Sequence, residues 1–200
     1  MFTGIIESTG KIIAISKEGS NLRIRMQSNF THELKVDQSV AHSGICLTVA
    51  NISEEWYEVV AIDETIQKTT IGGWQKNDTI NLERGMSLNA RLDGHIVQGH
   101  VDAQAKCISI EEKQGSYRLN FQFTKGLPLL IEKGSITIDG ISLTCFNCRE
   151  DLFSVEIIPY TWDLTNICAI KTGQLVNIES DLIGRYFQAY LKQQEWLKGQ

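Results

Sequence analysis

One segment of the chain occurs twice, and its second copy reads Ser135-Ile136-Thr137-Ile138-Asp139-Gly140-Ile141-Ser142-Leu143-Thr144-Cys145. The first copy lies 96 residues earlier and reads Ser39-Val40-Ala41-His42-Ser43-Gly44-Ile45-Cys46-Leu47-Thr48-Val49. Serine, glycine, leucine and threonine recur at the same places in both copies, and apolar residues match between them. This period is far longer than the ~20–50 residues of a solenoid repeat, so it predicts two tandem domains of one fold.

The similarity continues on both sides of this segment. The matching pairs are residues 2–7 with 97–102, 17–20 with 113–116, 58–65 with 154–161, and 80–83 with 176–179. The first pair is offset by 95 residues instead of 96, which a small change in loop length explains. We therefore predict a first domain at residues 1–93 and a second at residues 94–183, with residues 184–200 outside the repeat.

Composition and charge argue against several classes of protein. Hydrophobic residues make up 42% of the chain and charged residues 22%, as is typical of a globular protein. The net charge of −5, without a cluster of lysine and arginine, argues against binding to nucleic acid. No segment approaches the ~20 apolar residues of a membrane span, and the first residues do not resemble a signal peptide. We expect a cytoplasmic protein without a membrane partner.

The cysteines and histidines give only weak signals for a metal or redox site. The chain has five cysteines, an odd number that is read as reduced thiols in the absence of secretion. Cys145 and Cys148 have the spacing of a redox or zinc pair, but a closed zinc site needs about four ligands. His95 and His100 flank a strand-like segment, and no dinucleotide-binding fingerprint is present. We predict neither a metal nor a cofactor.

Alternation of apolar and polar residues predicts about six short strands in the first half. Residues 11–15 and 22–26 form a hairpin around a turn, and residues 29–34 could form a helical turn. Two strands follow, interrupted at Ser43-Gly44, and two more lie at residues 56–62 and 79–82. Short strands at close spacing favour a small closed barrel, which leaves no exposed edge. Because the second half repeats the pattern, we predict a mainly β fold of two tandem six-stranded antiparallel barrels.

The connection between the barrels and the end of the chain differ from the rest. Residues 85–93 contain several chain-breaking residues and are predicted to be a linker. Beyond residue 182 the apolar period becomes helical, with a stripe formed by Ile183, Phe187, Tyr190, Leu191 and Leu197. This helix could pack on its own barrels. Its large aromatic residues need cover, however, and its place outside the repeat favours an oligomerisation helix at residues 184–200.

The repeated segment also contains the candidate reactive side chains. Cys46 and Ser142 occupy equivalent places and carry different nucleophilic atoms, although a cysteine in a strand can also be a small core residue. Gly44 and Gly140 indicate either a bulge or a close approach of the backbone to another group. The threonines two places after Cys46 and Ser142 could simply be good strand formers. The residues alone thus predict two related clefts for two similar small molecules.

Five motifs, in order along the chain, resemble the riboflavin synthase family, whose members have two lumazine-binding barrels. The motifs are MFTGIIE at 1–7, SVAHSGICLT at 39–48, GHIVQGHVD at 94–102, IDGISLT at 138–144 and VNIESD at 176–181. The resemblance extends from residue 1 to about residue 190 without a large insertion. Any one of these motifs would be a weak signal, and the five together are specific.

The resemblance implies a transferase that acts on two molecules of 6,7-dimethyl-8-ribityllumazine. A four-carbon unit would move from one to the other, giving riboflavin and 5-amino-6-ribitylamino-2,4-pyrimidinedione. Such a dismutation needs no metal or redox cofactor. The resemblance also implies a homotrimer held by the C-terminal helix, with each active site between the first barrel of one chain and the second barrel of the next. The alternative is a non-catalytic lumazine or flavin carrier on the same fold.

By resemblance, the binding residues fall into two groups, each of which includes the opening segment of the other barrel. The group that we call the first site is Cys46, Leu47, Thr48, Val60, Ala61, Ile62, Asp63, Glu64, Thr65, Gly99, His100 and Val101. The group that we call the second site is Gly4, Ile5, Ile6, Ser142, Leu143, Thr144, Ile157, Ile158, Pro159, Tyr160 and Thr161. Tyr160 stands where many members have a histidine.

The resemblance also implies roles for several polar residues. Those tied to catalysis are Ser39, Cys46, His100, Ser142 and Asp181. His100 would shuttle protons near neutral pH, and either Cys46 or Ser142 would add to the lumazine ring or bind a water that does so. Lys133 matches a lysine that reaches the ligand of a neighbouring subunit.

Overall fold

Six antiparallel strands close the first barrel in the structure, a computed structural model that describes residues 1–124 and 130–198, with side chains as far as residue 194. The strands are β1 (Ser8–Glu18), β2 (Asn21–Gln27), β3 (Ser39–His42), β4 (Ile45–Ile52), β5 (Tyr57–Ala61) and β6 (Thr79–Arg84). Around the barrel they follow the order β1-β2-β5-β4-β3-β6. The hairpin, the interruption at Ser43-Gly44 and a helical turn at Thr31–Glu33 agree with the sequence-based prediction.

The second barrel repeats this arrangement strand for strand. Its strands are β7 (Ala103–Lys113), β8 (Ser116–Phe123), β9 (Ser135–Ile138), β10 (Ile141–Phe146), β11 (Leu152–Ile157) and β12 (Leu175–Ser180). They close in the equivalent order, β7-β8-β11-β10-β9-β12. The prediction of two six-stranded antiparallel barrels of one fold is confirmed.

Strand alternation builds a separate core in each barrel. In β2, Ile24 and Met26 point inwards, while Arg25 points outwards and lies 4.4 Å from the ring centre of Trp56. In β8, Leu119 and Phe121 are fully buried, as their spacing predicts. Full burial of each such side chain stabilises the fold by about 1.5–3 kcal/mol. Each barrel thus has its own core, and a small third cluster of Phe2, Ala41 and Val97 joins the two halves.

The two cores differ at one equivalent pair of positions. In the first barrel, buried His42 shares a hydrogen bond of 2.9 Å with the hydroxyl of Tyr57, and its Nδ1 lies 3.0 Å from the carbonyl oxygen of Val40. Neutral histidine has one donor and one acceptor nitrogen, so Nδ1–H donates to Val40 while Nε2 accepts from Tyr57. The second barrel has Ile138 and Phe153 at these positions, and both are buried.

The two barrels lie close together at the repeated glycine. Gly44 and Gly140 both have φ of +80°, and a Cβ on either would come within 2.8 Å of the backbone nitrogen of the other. The close approach, one of the two expectations for these glycines, is therefore what the structure shows. Asparagine side chains reinforce the contact in both directions: Asn81 donates to the Asp139 carbonyl at 3.0 Å, and Asn177 donates to the Ser43 carbonyl at 2.9 Å.

Two features near the sites differ from the sequence-based expectation. Short helices α1 (Asp63–Lys68) and α2 (Pro159–Leu164) follow β5 and β11, and a six-residue helix is too short to show a helical period. The segment between His95 and His100 was expected to be strand-like, and this is wrong: the opening segments at residues 2–6 and 97–101 share only an isolated bridge between Phe2 and Val97. Buried carboxylates accept hydrogen bonds from their backbone N–H groups instead.

The helix predicted at the end of the chain is present as α3 (Leu182–Lys198). Its stripe does not pack on the barrels of the same chain, because Ile183 is 72% exposed and Phe187 57% exposed. Leu197, which was assigned to the same stripe, lies outside the described side chains. Among the described residues, no helix has both the length and the apolar character needed to cross a membrane.

Candidate functional site

Each barrel accepts the opening segment of the other beside its candidate nucleophile. The Cys46 N–H donates to the Gly99 carbonyl at 2.9 Å, and the Ser142 N–H donates to the Gly4 carbonyl at 2.7 Å. Gly4 and Gly99 have φ of +77° and +78°, and a Cβ on either would come within 2.6 Å of the Cβ of the residue opposite. Only glycine fits such a position without displacing its neighbour. The two sites therefore share one backbone frame.

A buried glutamate holds each opening segment in place. Glu83 accepts hydrogen bonds from the Thr3 and Gly4 N–H groups at 2.6 and 2.9 Å, and from the Thr3 hydroxyl at 2.8 Å. Glu179 accepts from the N–H groups of Gln98, Gly99 and His100 at 2.9 to 3.0 Å. The repeat aligns these glutamates, but their role was missed because their partners are about 80 residues away.

Burial makes both glutamates harder to ionise. It raises the pKa of Glu83 above the usual range for a carboxyl group, although the Thr3 and Gly4 hydrogen bonds oppose the shift. It raises the pKa of Glu179 to about 7, against the opposing effect of the backbone hydrogen bonds and of Arg185. A carboxylate with several N–H donors is a strong hydrogen-bond acceptor only while it is ionised. The strength of the hydrogen bonds that hold each opening segment therefore depends on whether one glutamate is ionised.

The first site is recessed and consists of two adjoining cavities. One, of about 520 Å³, is lined by Cys46, Glu64, Thr65, Gly99, His100 and Val101 among others. The other, of about 410 Å³, is lined by Cys46, Leu47, Thr48, Val60, Ile62 and Thr65 among others. Cys46 is half-buried and lies where the two cavities meet, so it is not an ordinary core residue. Ala61 lies in the barrel core instead, and Asp63 is exposed and accepts a hydrogen bond from Gln67 within α1.

Three charged residues that were not predicted also line the larger of these cavities. They are Lys68 on α1, Arg185 on α3, and Asp102, which directly precedes β7. Arg185 Nη1 lies 3.5 Å from Asp102 Oδ1 and 3.7 Å from Glu179 Oε1. The helical period of α3 drew attention to its apolar stripe, whereas Arg185 lies off that stripe.

The second site contains a hydrogen-bonded serine and histidine. Ser142 Oγ and His95 Nδ1 share a hydrogen bond of 2.7 Å. Burial lowers the pKa of His95, and the charge of Asp181 opposes this shift. A neutral histidine in contact with a hydroxyl is the usual arrangement for a general base. From the sequence, His95 was a candidate only as a metal ligand, and its contact with Ser142 across 47 residues was missed.

The apolar part of the second site is exposed. Ile5, Ile158 and Tyr160 are 48%, 59% and 73% exposed, and Ile62, the first-site equivalent of Ile158, is 55% exposed. Ile6 and Leu143 pack against the second core, and Ile157 is fully buried in it. Pro159 and Thr161 belong to α2, and Thr144 is exposed on β10. The second site thus presents an uncovered apolar surface next to the Ser142–His95 pair.

The remaining predicted residues are spread around these sites. Ser39 is exposed and pairs with Thr48 across β3 and β4, at the edge of the first site. Asp181 begins α3 by accepting a hydrogen bond from the Ile183 N–H at 2.9 Å. Lys133 donates its N–H to the Cys145 carbonyl, and its ammonium group lies 5.1 Å from the ring centre of Phe146. Within one chain, these contacts leave Lys133 away from the Ser142–His95 pair.

Other features of the described residues do not add to these sites. No group of three or more histidine, cysteine, aspartate or glutamate side chains among them could hold a metal ion. A further cavity of about 660 Å³ lies between the barrels and is lined by residues that include Trp74, Asp139 and Asn166. Neither Cys46 nor Ser142 lines this cavity, so we do not assign the predicted chemistry to it.

Comparisons with known proteins agree with the tandem repeat. The family model described as "Lumazine binding domain" matches the chain twice, at residues 3–85 and 98–181. The chain is 39% identical to the riboflavin synthase of Bacillus amyloliquefaciens over 200 residues, covering 99% of this chain and 93% of that protein. It is also 39% identical to the riboflavin synthase of Actinobacillus pleuropneumoniae, covering 96% of this chain and 90% of that protein.

Similar solved structures support the fold. The crystal structure of LumP complexed with 6,7-dimethyl-8-(1'-D-ribityl) lumazine matches with a TM-score of 0.82, covering 90% of this chain and 99% of LumP. The riboflavin complex of LumP gives the same score and coverage. The sequence identity to LumP is 23%, so this likeness concerns the fold alone.

Proposed function

The chain belongs to the riboflavin synthase family with two lumazine-binding domains, and from this premise we propose that it converts two molecules of 6,7-dimethyl-8-ribityllumazine into riboflavin and 5-amino-6-ribitylamino-2,4-pyrimidinedione. The chain is an enzyme of the transferase class. In the proposed reaction a four-carbon unit leaves one lumazine and joins the other. Donor and acceptor are the same compound, which suits two sites with one backbone frame.

The observation that carries this proposal is the contrast between Cys46 and Ser142. Both residues donate their N–H to a glycine carbonyl of the opposite opening segment, so both sites can hold similar ligands. Their reactive atoms differ, and only Ser142 has a hydrogen bond to a histidine. Two identical substrates with different fates need two similar sites with different chemistry. A carrier protein would not need this difference.

Orientation and proton transfer would supply the rate. Two rings held in the right relative position react as if at very high concentration, which can remove several kcal/mol of barrier. We propose that His95 accepts a proton through Ser142 and that His100, at the first site, moves a second proton. Cys46 or Ser142 would add to a ring or hold the water that does. Asp181 would favour the charged form of His95, and Ser39 would contact ligand at the edge of the first site.

We further propose that the active chain is a homotrimer. The exposed apolar stripe of α3 and the exposed second site are surfaces that a neighbouring copy would cover. The recessed first site of one chain would then face the second site of the next, and Lys133 would reach the ligand of a neighbour. We expect this assembly to work in the cytoplasm and without a metal or redox cofactor.

Product stoichiometry tests the proposed function. The protein is incubated anaerobically with 6,7-dimethyl-8-ribityllumazine and a chelator, without nicotinamide cofactor, and the products are separated by chromatography. We expect each riboflavin to consume two lumazines and to release one pyrimidinedione. A consumption ratio near one, or a requirement for metal, would contradict the dismutation. Saturable binding without turnover would instead indicate a carrier.

A further inference from the structure

Arg185 places a positive charge between two carboxylates at the edge of the first site. It lies on α3, outside the repeat, and lines the same cavity as Cys46 and His100. Its side chain is 27% exposed, while those of Asp102 and Glu179 are 15% and 2% exposed. Its Nη1 atom is buried and makes no hydrogen bond, although both carboxylates lie within 3.7 Å. Arg185 therefore acts on this pair through its charge.

Glu179 connects this charge to the geometry of the first site. Its carboxylate accepts hydrogen bonds from three consecutive N–H groups at residues 98–100. The same short segment supplies the Gly99 carbonyl that binds the Cys46 N–H, and it places His100 and Val101 in the cavity wall. A protonated carboxyl group has fewer acceptor sites and cannot hold three N–H donors equally well. Ionised Glu179 thus fixes the segment against Cys46.

The charged groups that act on Glu179 are Asp102 and Arg185, and they act in opposite directions. Asp102, which also accepts a hydrogen bond from the Ser180 N–H at 2.8 Å, raises the pKa of Glu179. Arg185 lowers it against a large effect of burial. Without Arg185, two carboxylates would face each other in a largely buried place, which favours uptake of a proton.

The equivalent carboxylate of the other barrel is held differently. Glu83 accepts a hydrogen bond from the Thr3 hydroxyl in addition to two backbone N–H groups. The arginine next to it, Arg84, pairs with Glu7 and Glu33 instead of with Glu83. The C-terminal helix thus supplies a charge to one of the two opening segments only.

We infer that Arg185 is a positioning residue of the first site, whose charge keeps Glu179 in the state that holds residues 98–100 against Cys46. The inference rests on the proposed function in so far as the first site binds a lumazine. It gives α3 a task within its own chain that is separate from any contact between copies.

Three variants of the full-length protein test this inference. Arg185→Met removes the charge, Arg185→Lys retains it, and Lys192→Met removes a cation elsewhere on α3. For Arg185→Met at pH 8, we expect the KM for 6,7-dimethyl-8-ribityllumazine to rise at least about tenfold with an unchanged sedimentation coefficient. Arg185→Lys should stay within about threefold of the wild type, because a point charge can replace an arginine that makes no bidentate hydrogen bonds. Lys192→Met should leave KM unchanged.

The pH dependence separates a charge effect from a structural one. Burial places the pKa of Glu179 at about 7, so the wild-type KM should rise as the pH falls through about 7. Loss of Arg185 raises that pKa further, so the KM of Arg185→Met should rise from a higher pH and recover towards pH 9.5. A loss of activity that is the same at every pH, and that Lys does not restore, would overturn the inference.

A double-mutant cycle gives a second, independent test. Glu179→Gln has no charge for Arg185 to act on, so adding Arg185→Met to it should change KM by less than about twofold. If the fold-increases in KM of the two single variants multiply in the double variant, the inference is contradicted.

If the wild type forms no flavin, the proposed function fails. The same double-mutant cycle is then measured with the dissociation constant of riboflavin, determined by fluorescence quenching. Equal riboflavin affinity in all variants would overturn the inference in that case.

Discussion

The first site and the second site have the same backbone frame and different side chains. In both, a glycine of the opposite opening segment accepts a hydrogen bond from the residue that carries the candidate nucleophile. In both, a buried glutamate holds that segment. The first site, however, has Lys68, Asp102 and Arg185 in its cavity wall, while the second has a hydrogen-bonded Ser142–His95 pair and an exposed Tyr160.

This difference shows which features the repeat retains and which it varies. The glycines, the glutamates and the strand order are the same in both halves. Cys46 and Ser142 carry different reactive atoms at equivalent places, and we propose that these two residues, together with His95 and Arg185, determine the fate of each ligand. Such an arrangement suits a reaction in which two copies of one compound have different fates.

Deletion of residues 184–200 should have the largest effect, because it changes both sites. The second site would lose the neighbouring copy that we expect to cover it, and the first would lose Arg185. We expect a folded, largely monomeric protein with at least about a hundredfold loss of kcat/KM, or ~3 kcal/mol in barrier. Sedimentation and flavin formation are the measurements. A fully active monomer would refute the proposed role of α3, and Arg185→Met, which should remain a trimer, separates the two losses.

The sequence predicted those parts of the fold that depend on local periodicity. Alternation in β2 and β8 and the helical stripe of α3 arise because side chains recur on one face, and the pattern is visible within a few residues. The repeat then implied that the barrels are equivalent. Helices α1 and α2 were missed because six residues span less than two turns and do not define a face.

The parts of the site that were missed depend on contacts between distant segments. The bond between His95 and Ser142 joins two residues 47 positions apart, and Glu179 reaches an N–H group 80 positions away. Neither contact leaves a local pattern. The N–H groups of the opening segments donate to carboxylates about 80 residues further along the same half of the chain, and no local pattern shows such partners.

Lowering the pH should destabilise the core of the first barrel more than that of the second, because only the first contains His42. Burial lowers the pKa of His42 to about 4, below that of a histidine in the unfolded chain, so the unfolded state binds more protons between about pH 4 and pH 6.5. His42 should therefore contribute a loss of about 2 kcal/mol in unfolding free energy at pH 5 relative to neutral pH. Above about pH 6.5, His42 causes no loss of unfolding free energy.

A variant with the residues of the second core tests this. His42→Ile combined with Tyr57→Phe copies the pair Ile138 and Phe153. Urea unfolding at pH 7 and pH 5 should show a smaller acid loss for this double variant than for the wild type. Equal losses would mean that His42 does not control the acid stability of the first barrel.

The alanine variants of the two candidate nucleophiles should differ in kcat, by less than the loss expected for the deletion of residues 184–200. Ser142→Ala removes a hydroxyl and leaves His95 without its hydrogen-bond partner, whereas Cys46→Ala removes a thiol at the junction of two cavities. We expect Ser142→Ala to lower kcat more than Cys46→Ala, by at least about tenfold or ~1.4 kcal/mol in barrier. Single-turnover flavin formation is the measurement, and Cys46→Ser is the matched control. Equal losses for the two alanine variants would contradict different roles for the two sites.

The smallest effect is expected for residues 1–93 alone, which contain the first barrel without its partner. The fragment lacks Gly99, whose carbonyl binds the Cys46 N–H, but Gly4 already makes the equivalent bond to Ser142 and is held by Glu83 within the fragment. A second copy can therefore supply Gly4 to Cys46, and we expect a homodimer that binds riboflavin within about tenfold of the affinity of the full chain. Fluorescence quenching measures the affinity, and sedimentation measures the oligomeric state.

Gly44→Ala in the same fragment is the control. Its Cβ would meet the facing backbone at the contact between barrels, so the variant fragment should stay monomeric and bind riboflavin weakly. A folded wild-type fragment with no saturable binding would show that the first site needs the second barrel itself.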